Sequence, residues 1–291
     1  MTTSHRAATR RDWREDNNMI VDIRTPDYAF DSLLNFLDIS DRDFINTYAK
    51  FQKDIDKVWK EFINCVETKS IKDIEFIAFQ VTSNSNNCAE IKKNGIRNLQ
   101  WVLSNLSDLR NIFAEHEIYF DIKNKKMFYK TDIINIDYAY YCGENNLSSR
   151  EKKFKEISRK IYNDCQATVF FSMNDVKKYG TRIHERPEFI YTFIKAFPEL
   201  KDIETEWFKK SSGYIITFRI NFEQLLWFTF CDVEYDCLDE SERNEILKKW
   251  IFSNLIRRSF EHLDDYTQII AYIKPEALIK PEQIINYEKI I

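Results

Sequence analysis

Residues 74–96, IEFIAFQVTSNSNNCAEIKKNGI, decide the fold because a buried strand, a polar turn and a helix end follow one another within them. The run IEFIAFQV at 74–81 is almost entirely apolar, which is typical of a buried strand. The polar residues that follow predict a turn into a helix carrying Ile91, and Gly95 suits a left-handed helix end. Polar side chains at the end of such a strand can point into a cleft, and the following helix start offers N–H groups to an anion.

Further helices and strands are predicted on both sides of this stretch. The predicted helices cover residues 40–66, 99–106, 154–161, 187–197 and 239–264. The predicted strands cover a hairpin at 117–130 and single strands at 136–141, 167–172, 213–220, 225–230 and 267–273. Helices do not alternate regularly with the strands, and one pair forms a hairpin, so the pattern favours an α+β fold over a doubly wound parallel sheet.

Three regions are predicted along the chain: a flexible tail at 1–20, a helical region at 21–70, and an α+β domain at 71–291. The tail is polar and lacks periodicity, whereas the rest is rich in aromatic residues. With 44% apolar residues, 23 Phe and 15 Tyr, the chain is too hydrophobic to remain disordered.

The composition also argues against several classes of function. A net charge of -4 argues against a surface that coats nucleic acid broadly. The 4 Gly include no GxGxxG or GxxxxGK[ST] string, and the 6 Cys include no CxxC pair, so neither a glycine-rich phosphate loop nor a zinc site is predicted. No apolar run reaches the roughly 20 residues of a membrane helix and no apolar signal core is found, which predicts a cytoplasmic protein with free thiols and no metal.

A family resemblance begins in the segment FQVTSNSNNCAEIKKNGI at 79–96. It resembles the opening motif of ADP-ribosyltransferase-like toxins, in particular the DNA-modifying branch typified by DarT and related abortive-infection proteins. In that motif a His-x-Thr strand end precedes a helix that closes at Asn-Gly or Gly-Gly. By position Gln80 replaces the histidine and Thr82 matches the threonine, so the resemblance implies that Gln80, Thr82 and Ser83 hold NAD. Glutamine can hydrogen-bond a ribose hydroxyl or a carboxamide. The alternative is an ordinary Ser/Thr/Asn-rich turn that caps a helix.

A second segment, TQIIAYIKPEALIKPEQII at 267–285, is similar to the closing strand of the same family. That strand carries the catalytic Glu and is followed by Ile/Val-Pro-x-x-Ile. The Glu position falls at or near Gln268, with Asp264 and Asp265 as nearby carboxylates. Departure of nicotinamide leaves an oxocarbenium-like centre that a carboxylate stabilises, and glutamine supplies no charge. The resemblance therefore implies an enzyme that is weakened, altered or inactive.

A third segment, YGTRIHERPEF at 179–189, is the densest run of functional side-chain types in the chain. Arg182 and Arg186 could bind a pyrophosphate or a phosphate backbone, with His184 or Glu185 as acid or base. The alternative is a charged loop that caps the helix begun by Pro187 and pairs its ions in solvent. The residues leave both interpretations open.

The first hypothesis is an ADP-ribosyltransferase-like effector, a toxin or phage-defence component that uses NAD to modify a nucleic acid or a protein. The resemblance implies a split, bent, antiparallel or mixed sheet with flanking helices around a nucleotide cleft. The catalytic candidates are Glu185, His184 and Gln268. The cofactor-binding candidates are Gln80, Thr82, Ser83, Arg182 and Arg186.

The second hypothesis is a catalytically inactive protein-binding module of a defence or toxin–antitoxin system. Its partner would be a cognate antitoxin or another defence protein, and the loss of both family signatures favours it. A nucleic-acid enzyme unrelated to NAD is a weaker third, since no metal-binding array of carboxylates stands out.

Overall fold

The computed structural model describes residues 19–67, 69–173, 175–178, 181–260 and 268–290. The helices in these ranges are α1 Pro26–Leu37, α2 Asp41–Lys50, α3 Ile55–Glu67, α4 Ala89–Asn94, α5 Leu99–Ser104, α6 Asp108–Glu115, α7 Tyr138–Gly143, α8 Ser149–Tyr162, α9 Glu188–Ala196, α10 Lys201–Lys210 and α11 Glu240–Phe260. The strands are β1 Met19–Val21, β2 Ile74–Asn84, β3 Ile118–Asp121, β4 Lys126–Tyr129, β5 Asp132–Asn135, β6 Thr168–Ser172, β7 Ser212–Asn221, β8 Ile269–Tyr272 and β9 Ile284–Lys289. None of the helices in this part of the chain is long and apolar enough to span a membrane.

The predicted α+β fold is confirmed. The larger sheet in the described ranges has the order β8-β6-β2-β7-β9, with β1 also paired to β2, and the smaller sheet has the order β3-β4-β5. The larger sheet is mixed, because β1 runs parallel to β2 whereas β7 and β9 are antiparallel. The strand predicted at 74–81 is its central strand β2.

The chain divides into two compact units, and the division falls within β2, β6, β7 and β8. The first unit comprises the described residues of 19–78, 170–173, 219–260 and 268–271. In its core α1 packs against α11, and the ring of Phe76 lies 5.2 Å from that of Phe171 and 6.2 Å from that of Trp250. Burying each such ring contributes about 2 kcal/mol, so this aromatic cluster is a main source of the unit's stability.

The second unit comprises the described residues of 79–169, 175–218 and 272–290. Its core lies among α5, α6, α8, α9, α10 and the small sheet, with Phe113 and Phe193 fully buried at its centre, 4.8 Å apart between ring centroids. The predicted hairpin at 117–130 is confirmed as β3 and β4, and β5 extends it by one strand.

Three of the predicted elements were wrong. The helix predicted at 40–66 is two helices, because Gln52 and Lys53 take positive φ angles of 50° and 67° and break it. The strand predicted at 136–141 is the helix α7, since the Asp137 carboxylate accepts the Ala139 N–H and caps its first turn. The strand predicted at 225–230 contains instead the short 3-10 turn Trp227–Thr229, and the Trp227 indole donates to the Val233 carbonyl at 2.8 Å.

Some elements were not predicted at all. Helix α1 begins with Thr25 as its cap and Pro26 in its first turn, a standard helix start. Helix α10 was also missed, and β1 occupies residues placed at the end of the predicted tail. Residues 1–18 of that tail lie outside the described residues.

Candidate functional site

The candidate site is a cavity of about 260 Å³ in the second unit. Its lining comes from the end of β2, the helices α4 and α5, the start of α6, the end of α8, the start of β6, the start of α9 and Trp207 of α10. Buried aromatic side chains and polar groups share this lining, which is typical of small-molecule sites. The volume lies slightly below the roughly 300–1,000 Å³ of ligand pockets, so the cavity can hold part of a large ligand.

Gln80 and Thr82 line the cavity from the C-terminal part of β2. Because successive side chains of a strand point to opposite faces, these two share one face. Both are half-buried. Among the described residues, the Thr82 hydroxyl makes only a long hydrogen bond, to the Ser83 carbonyl at 3.4 Å, and the Gln80 amide makes no side-chain hydrogen bond. Their polar groups are therefore available to a ligand.

Ser83 has a different role from its two neighbours. It is 4% exposed, and its hydroxyl oxygen accepts a hydrogen bond from the indole N–H of Trp207 at 2.9 Å. Trp207 is itself 3% exposed and lines the cavity. A buried indole N–H requires an acceptor, so Ser83 fixes the position of this aromatic wall.

The polar turn after β2 is held by asparagine side chains, although Cys88, the residue directly before α4, makes no capping bond with its own side chain. The side-chain oxygen of Asn84 accepts the N–H groups of Asn86 at 3.0 Å and Cys88 at 2.6 Å, and that of Asn86 accepts the Ala89 N–H at 2.8 Å. These are the side-chain-to-backbone bonds that Asn makes in turns. For these residues the interpretation as an ordinary capping turn is correct, whereas it does not account for Gln80 and Thr82.

Glu90 and Asp108 form a carboxyl pair in the cavity wall. A Glu90 oxygen accepts the backbone N–H of Asp108 at the start of α6, while the Asp108 carboxylate accepts the Asn86 amide at 2.9 Å and the Ser85 hydroxyl. Burial, and secondly the charge of Asp108, raise the pKa of Glu90 to about 7. Glu90 is therefore poised to exchange a proton near neutral pH.

Lys160 forms the other charged part of the lining. Its ammonium group lies 2.5 Å from the Asp164 carboxylate and 2.9 Å from the Glu188 carboxylate. Burial disfavours the cation, but these two hydrogen-bonded carboxylates outweigh it and raise the pKa of Lys160. This triad is internally paired, which ties the end of α8 to the start of α9.

The start of α5 connects the cavity to the closing segment of the chain. Ile96 and Ile279 form a β-bridge, with the Ile96 N–H donating to the Ile279 carbonyl at 2.9 Å. The Asn98 amide donates to the Pro275 carbonyl at 2.6 Å and its oxygen caps α5 at Trp101. Arg97, between these two anchors, lines the cavity.

The charged loop at 182–186 does not contribute its charged side chains to the lining. Arg182 pairs with Glu185, the His184 Nε2 lies 3.5 Å from the Glu185 carboxylate, and Arg186 pairs with Glu204 at 2.6 Å. Its neighbours Ile183 and Pro187 do line the cavity. The loop thus borders the cavity with its apolar residues, and its charged side chains pair within the loop or, for Arg186, with Glu204 of α10. Tyr179 and Gly180, at the start of the predicted cluster, lie outside the described residues.

Gln268 lies in the first unit, directly before β8, and is half-buried. It is not part of the cavity lining, which belongs to the second unit. Asp264 and Asp265 lie outside the described residues. The cavity therefore gathers Gln80, Thr82 and Ser83 from the predicted set, and its lining does not include the three predicted catalytic residues.

Glu90, Arg97 and Lys160 were not predicted from the sequence. Glu90 lies inside the quoted segment 79–96, and a lone acid on a short helix after a strand end was a usable signal. Arg97 follows the Asn-Gly helix end by two positions, where a basic residue near a turn gave no distinct signal. Lys160 meets partners 4 and 28 residues away, a pairing that only the fold creates.

A second depression of about 400 Å³ lies beside β5. Its charged groups are paired, since Arg150 contacts Asp132 at 3.1 Å, and the Tyr141 hydroxyl donates to the Asn135 carbonyl at 2.6 Å. It is larger, but these polar groups are already paired within the protein, so the cavity with Gln80 and Glu90 is the better candidate.

No group of three or more His, Cys, Asp or Glu side chains in the described residues has the arrangement of a metal site. No family model, curated protein or solved structure matches the chain. The family resemblance thus depends on the residues of segments 79–96 and 267–285 alone.

Proposed function

We propose that the chain is an ADP-ribosyltransferase-like effector that uses NAD to modify a nucleic acid or a protein, in a toxin or phage-defence setting. One observation carries this proposal. Gln80 and Thr82, from the family-like segment, line the same cavity as Glu90, a carboxyl whose pKa is raised to about 7. Under this proposal the cavity holds the nicotinamide end of NAD.

The chemistry of the lining suits that end of the molecule. Nicotinamide in NAD is a flat, positively charged ring with a carboxamide, and the amide of Gln80 can donate to and accept from such a group. Trp101 and Trp207 supply aromatic surface, which attracts a ring cation. Asp108, and Glu90 when it is ionised, add negative charge in the same wall, which further favours a cation over a neutral ring.

The reaction requires that the bond between nicotinamide and the ribose carbon breaks, with the electron pair leaving on nicotinamide. The resulting oxocarbenium-like centre is stabilised by a nearby carboxylate, and a nucleophile of the target then attacks it and loses a proton. Glu90 in its ionised form can serve both steps. Because its pKa is about 7, we expect the rate to rise as the pH increases through neutrality.

The test is incubation of purified protein with NAD labelled in the adenylate part, together with cell extract, and measurement of label transfer and nicotinamide release. We expect Gln80→Ala and Glu90→Gln each to reduce turnover, Glu90→Gln by at least about 100-fold. Glu185→Ala, outside the lining, serves as the matched control. If neither product forms, or if Glu185→Ala abolishes turnover while Glu90→Gln does not, the proposal fails in this form.

The second candidate is a catalytically inactive protein-binding module that keeps the fold. It is favoured by one observation: the cavity lining does not include His184, Glu185 or Gln268, the predicted catalytic residues. This candidate predicts no NAD binding by calorimetry, together with co-purification of a stoichiometric partner. Saturable NAD binding that Gln80→Ala weakens would contradict it.

A further inference from the structure

We infer that Arg97 is an anion-binding residue of the cavity, so that the site selects a phosphorylated nucleotide over the corresponding nucleoside. The inference deepens the proposed function and rests on it for the identity of the ligand. The anion site itself depends only on the geometry around Arg97.

The backbone at Arg97 is held from both sides. Gly95 has a φ of 73°, and a Cβ at this position would lie 2.0 Å from the Ile279 carbonyl oxygen. Only glycine permits that approach, and it brings Ile96 and Ile279 into their β-bridge. One residue after Arg97, Asn98 is anchored to the Pro275 carbonyl at 2.6 Å. The Cα of Arg97 is therefore fixed by contacts on either side.

The guanidinium group is oriented as well. Its Nε donates to the Asn94 carbonyl at 3.1 Å, and its central carbon lies 5.1 Å from the centroid of the Trp101 ring. These contacts leave both terminal nitrogens of Arg97 without a hydrogen bond or an ion pair among the described residues. A guanidinium held by its Nε and one face presents its remaining N–H groups as a fork, the geometry that binds phosphate bidentately.

Arg97 differs in this respect from the other cations nearby. Lys160, which also lines the cavity, is held by two carboxylates. Arg182 and Arg186, the residues predicted for phosphates, are each paired with a glutamate and do not belong to the lining. A paired guanidinium must give up its partner before it binds an anion, whereas Arg97 need not.

Four carboxyl groups in the lining oppose an anion, and their state decides whether one can bind. Asp164 and Glu188 are both in contact with the Lys160 cation. The Asp108 carboxylate accepts hydrogen bonds from Ser85 and Asn86, and the raised pKa of Glu90 reduces its charge at neutral pH. The repulsion between these carboxyl groups and an anion at Arg97 is thereby weakened. The repulsion that remains confines the anion to the neighbourhood of this one guanidinium.

The substrate class follows from the cavity and the cation together. A volume of about 260 Å³ is too small to enclose a dinucleotide, so the cavity holds a ring with its sugar and the phosphates continue beyond it. Arg97 then binds the phosphate next to that sugar. Three compounds separate these contributions. Nicotinamide riboside carries the ring and the sugar, nicotinamide mononucleotide carries the ring, the sugar and a phosphate, and inorganic pyrophosphate carries phosphates alone.

The experiment is calorimetric titration of these three compounds and NAD into the wild type, Arg97→Met and Arg97→Lys. We expect Arg97→Met to weaken binding of the mononucleotide and of pyrophosphate at least about tenfold, as for loss of one charge-assisted contact, and to leave the riboside unchanged. Arg97→Lys keeps the charge without the fork and should recover part of the loss. Thermal unfolding of each variant verifies that it is folded.

Two matched controls locate the effect. Arg150→Met removes an exposed arginine that pairs with Asp132 outside the cavity, and Arg182→Met removes the arginine predicted for phosphate from the sequence. Neither should alter the affinity for pyrophosphate. A tenfold loss in Arg182→Met together with none in Arg97→Met would overturn the inference.

The remaining outcomes separate the inference from the proposed function. If pyrophosphate binding depends on Arg97 but no nicotinamide compound binds, the anion site is supported and the NAD proposal fails. If the riboside and the mononucleotide bind equally well and Arg97→Met changes neither, the inference is overturned while the nicotinamide site survives. If none of the four compounds binds, both are overturned.

Discussion

Replacement of Glu90 by glutamine should make the protein more stable above neutral pH and leave it nearly unchanged in acid. The ordinary pKa of this carboxyl is 4.5, and burial raises it to about 7 in the folded chain. Between these values the unfolded chain loses the proton and the folded chain keeps it, so the wild type loses stability as the pH rises from about 4.5 to about 7. Glutamine has no proton to lose, and its oxygen can still accept the Asp108 N–H.

The size of the effect follows from the same values. Applied in full, the rise in pKa would correspond to about 3 kcal/mol between the two protonation states. Glu90 is only half-buried, so solvent screening reduces this to about 1–2 kcal/mol. The expected result is that the difference in unfolding free energy between Glu90→Gln and wild type grows by about that amount from pH 4.5 to pH 8.

Urea unfolding followed by circular dichroism at both pH values measures this difference. Contributions from carboxyls distant from residue 90 are common to the two proteins and cancel in the comparison. Glu144→Gln, the same substitution at an exposed position with no ion pair to a described residue, is the matched control. The opposite result would be that the unfolding free energy of Glu90→Gln, relative to wild type, falls from pH 4.5 to pH 8. Glu90 would then be an ionised cap of α6, and its assignment as a proton-exchanging group would be refuted.

Three further perturbations test the structure around the cavity. Gly95→Ala should lower the unfolding free energy by at least about 2 kcal/mol, since its φ is positive and its Cβ would collide with a carbonyl oxygen. Gly143→Ala is the control and should change the unfolding free energy little, because a Cβ at Gly143 would meet no neighbouring atom within 4 Å. Unchanged stability in both variants would refute the close approach at Gly95. Ser83→Ala should cost about 1–3 kcal/mol in urea unfolding because a buried indole N–H loses its acceptor; a neutral result would mean that the N–H has another partner. Burial raises the pKa of Cys88 to about 11 and also raises that of Cys165, so both thiols should react with a disulfide reagent more slowly than the exposed thiols in the native protein, and equal rates would contradict their burial. The exposed thiols are Cys65, Cys142 and Cys237.

The elements that were predicted correctly are those whose signal is local. The hairpin of β3 and β4 follows from two apolar runs around a Lys/Asn turn, and the central strand β2 from an unbroken apolar run. The failures arise where the local signal is ambiguous or absent. IDYAYY suits a strand by its β-branched and aromatic content, but Asp137 caps a helix there. The break at Gln52 and Lys53 contains no proline or glycine that would have predicted it.

The cavity was predictable only in the part that one segment supplies. Gln80 and Thr82 are two positions apart on a strand, so their common face follows from the sequence. The contacts of Glu90 with Asp108 span 18 residues, and those of Lys160 with Glu188 span 28. No local pattern encodes such pairings, because each depends on how α6, α8 and α9 pack around Phe113 and Phe193.

The hydrogen-bond state of the polar groups separates those that hold the fold from those that face a ligand. Ser83, Asn84 and Lys160 find their partners within the protein, and they are accounted for by the packing of the second unit. The amide of Gln80 and the terminal nitrogens of Arg97 have no such partner among the described residues, although both side chains line the same cavity. Keeping polar groups half-buried without protein partners costs stability unless water or a ligand binds them. An amide and a guanidinium left free in this way complement a carboxamide and a phosphate, the two polar groups on either side of the ribose in a nicotinamide nucleotide.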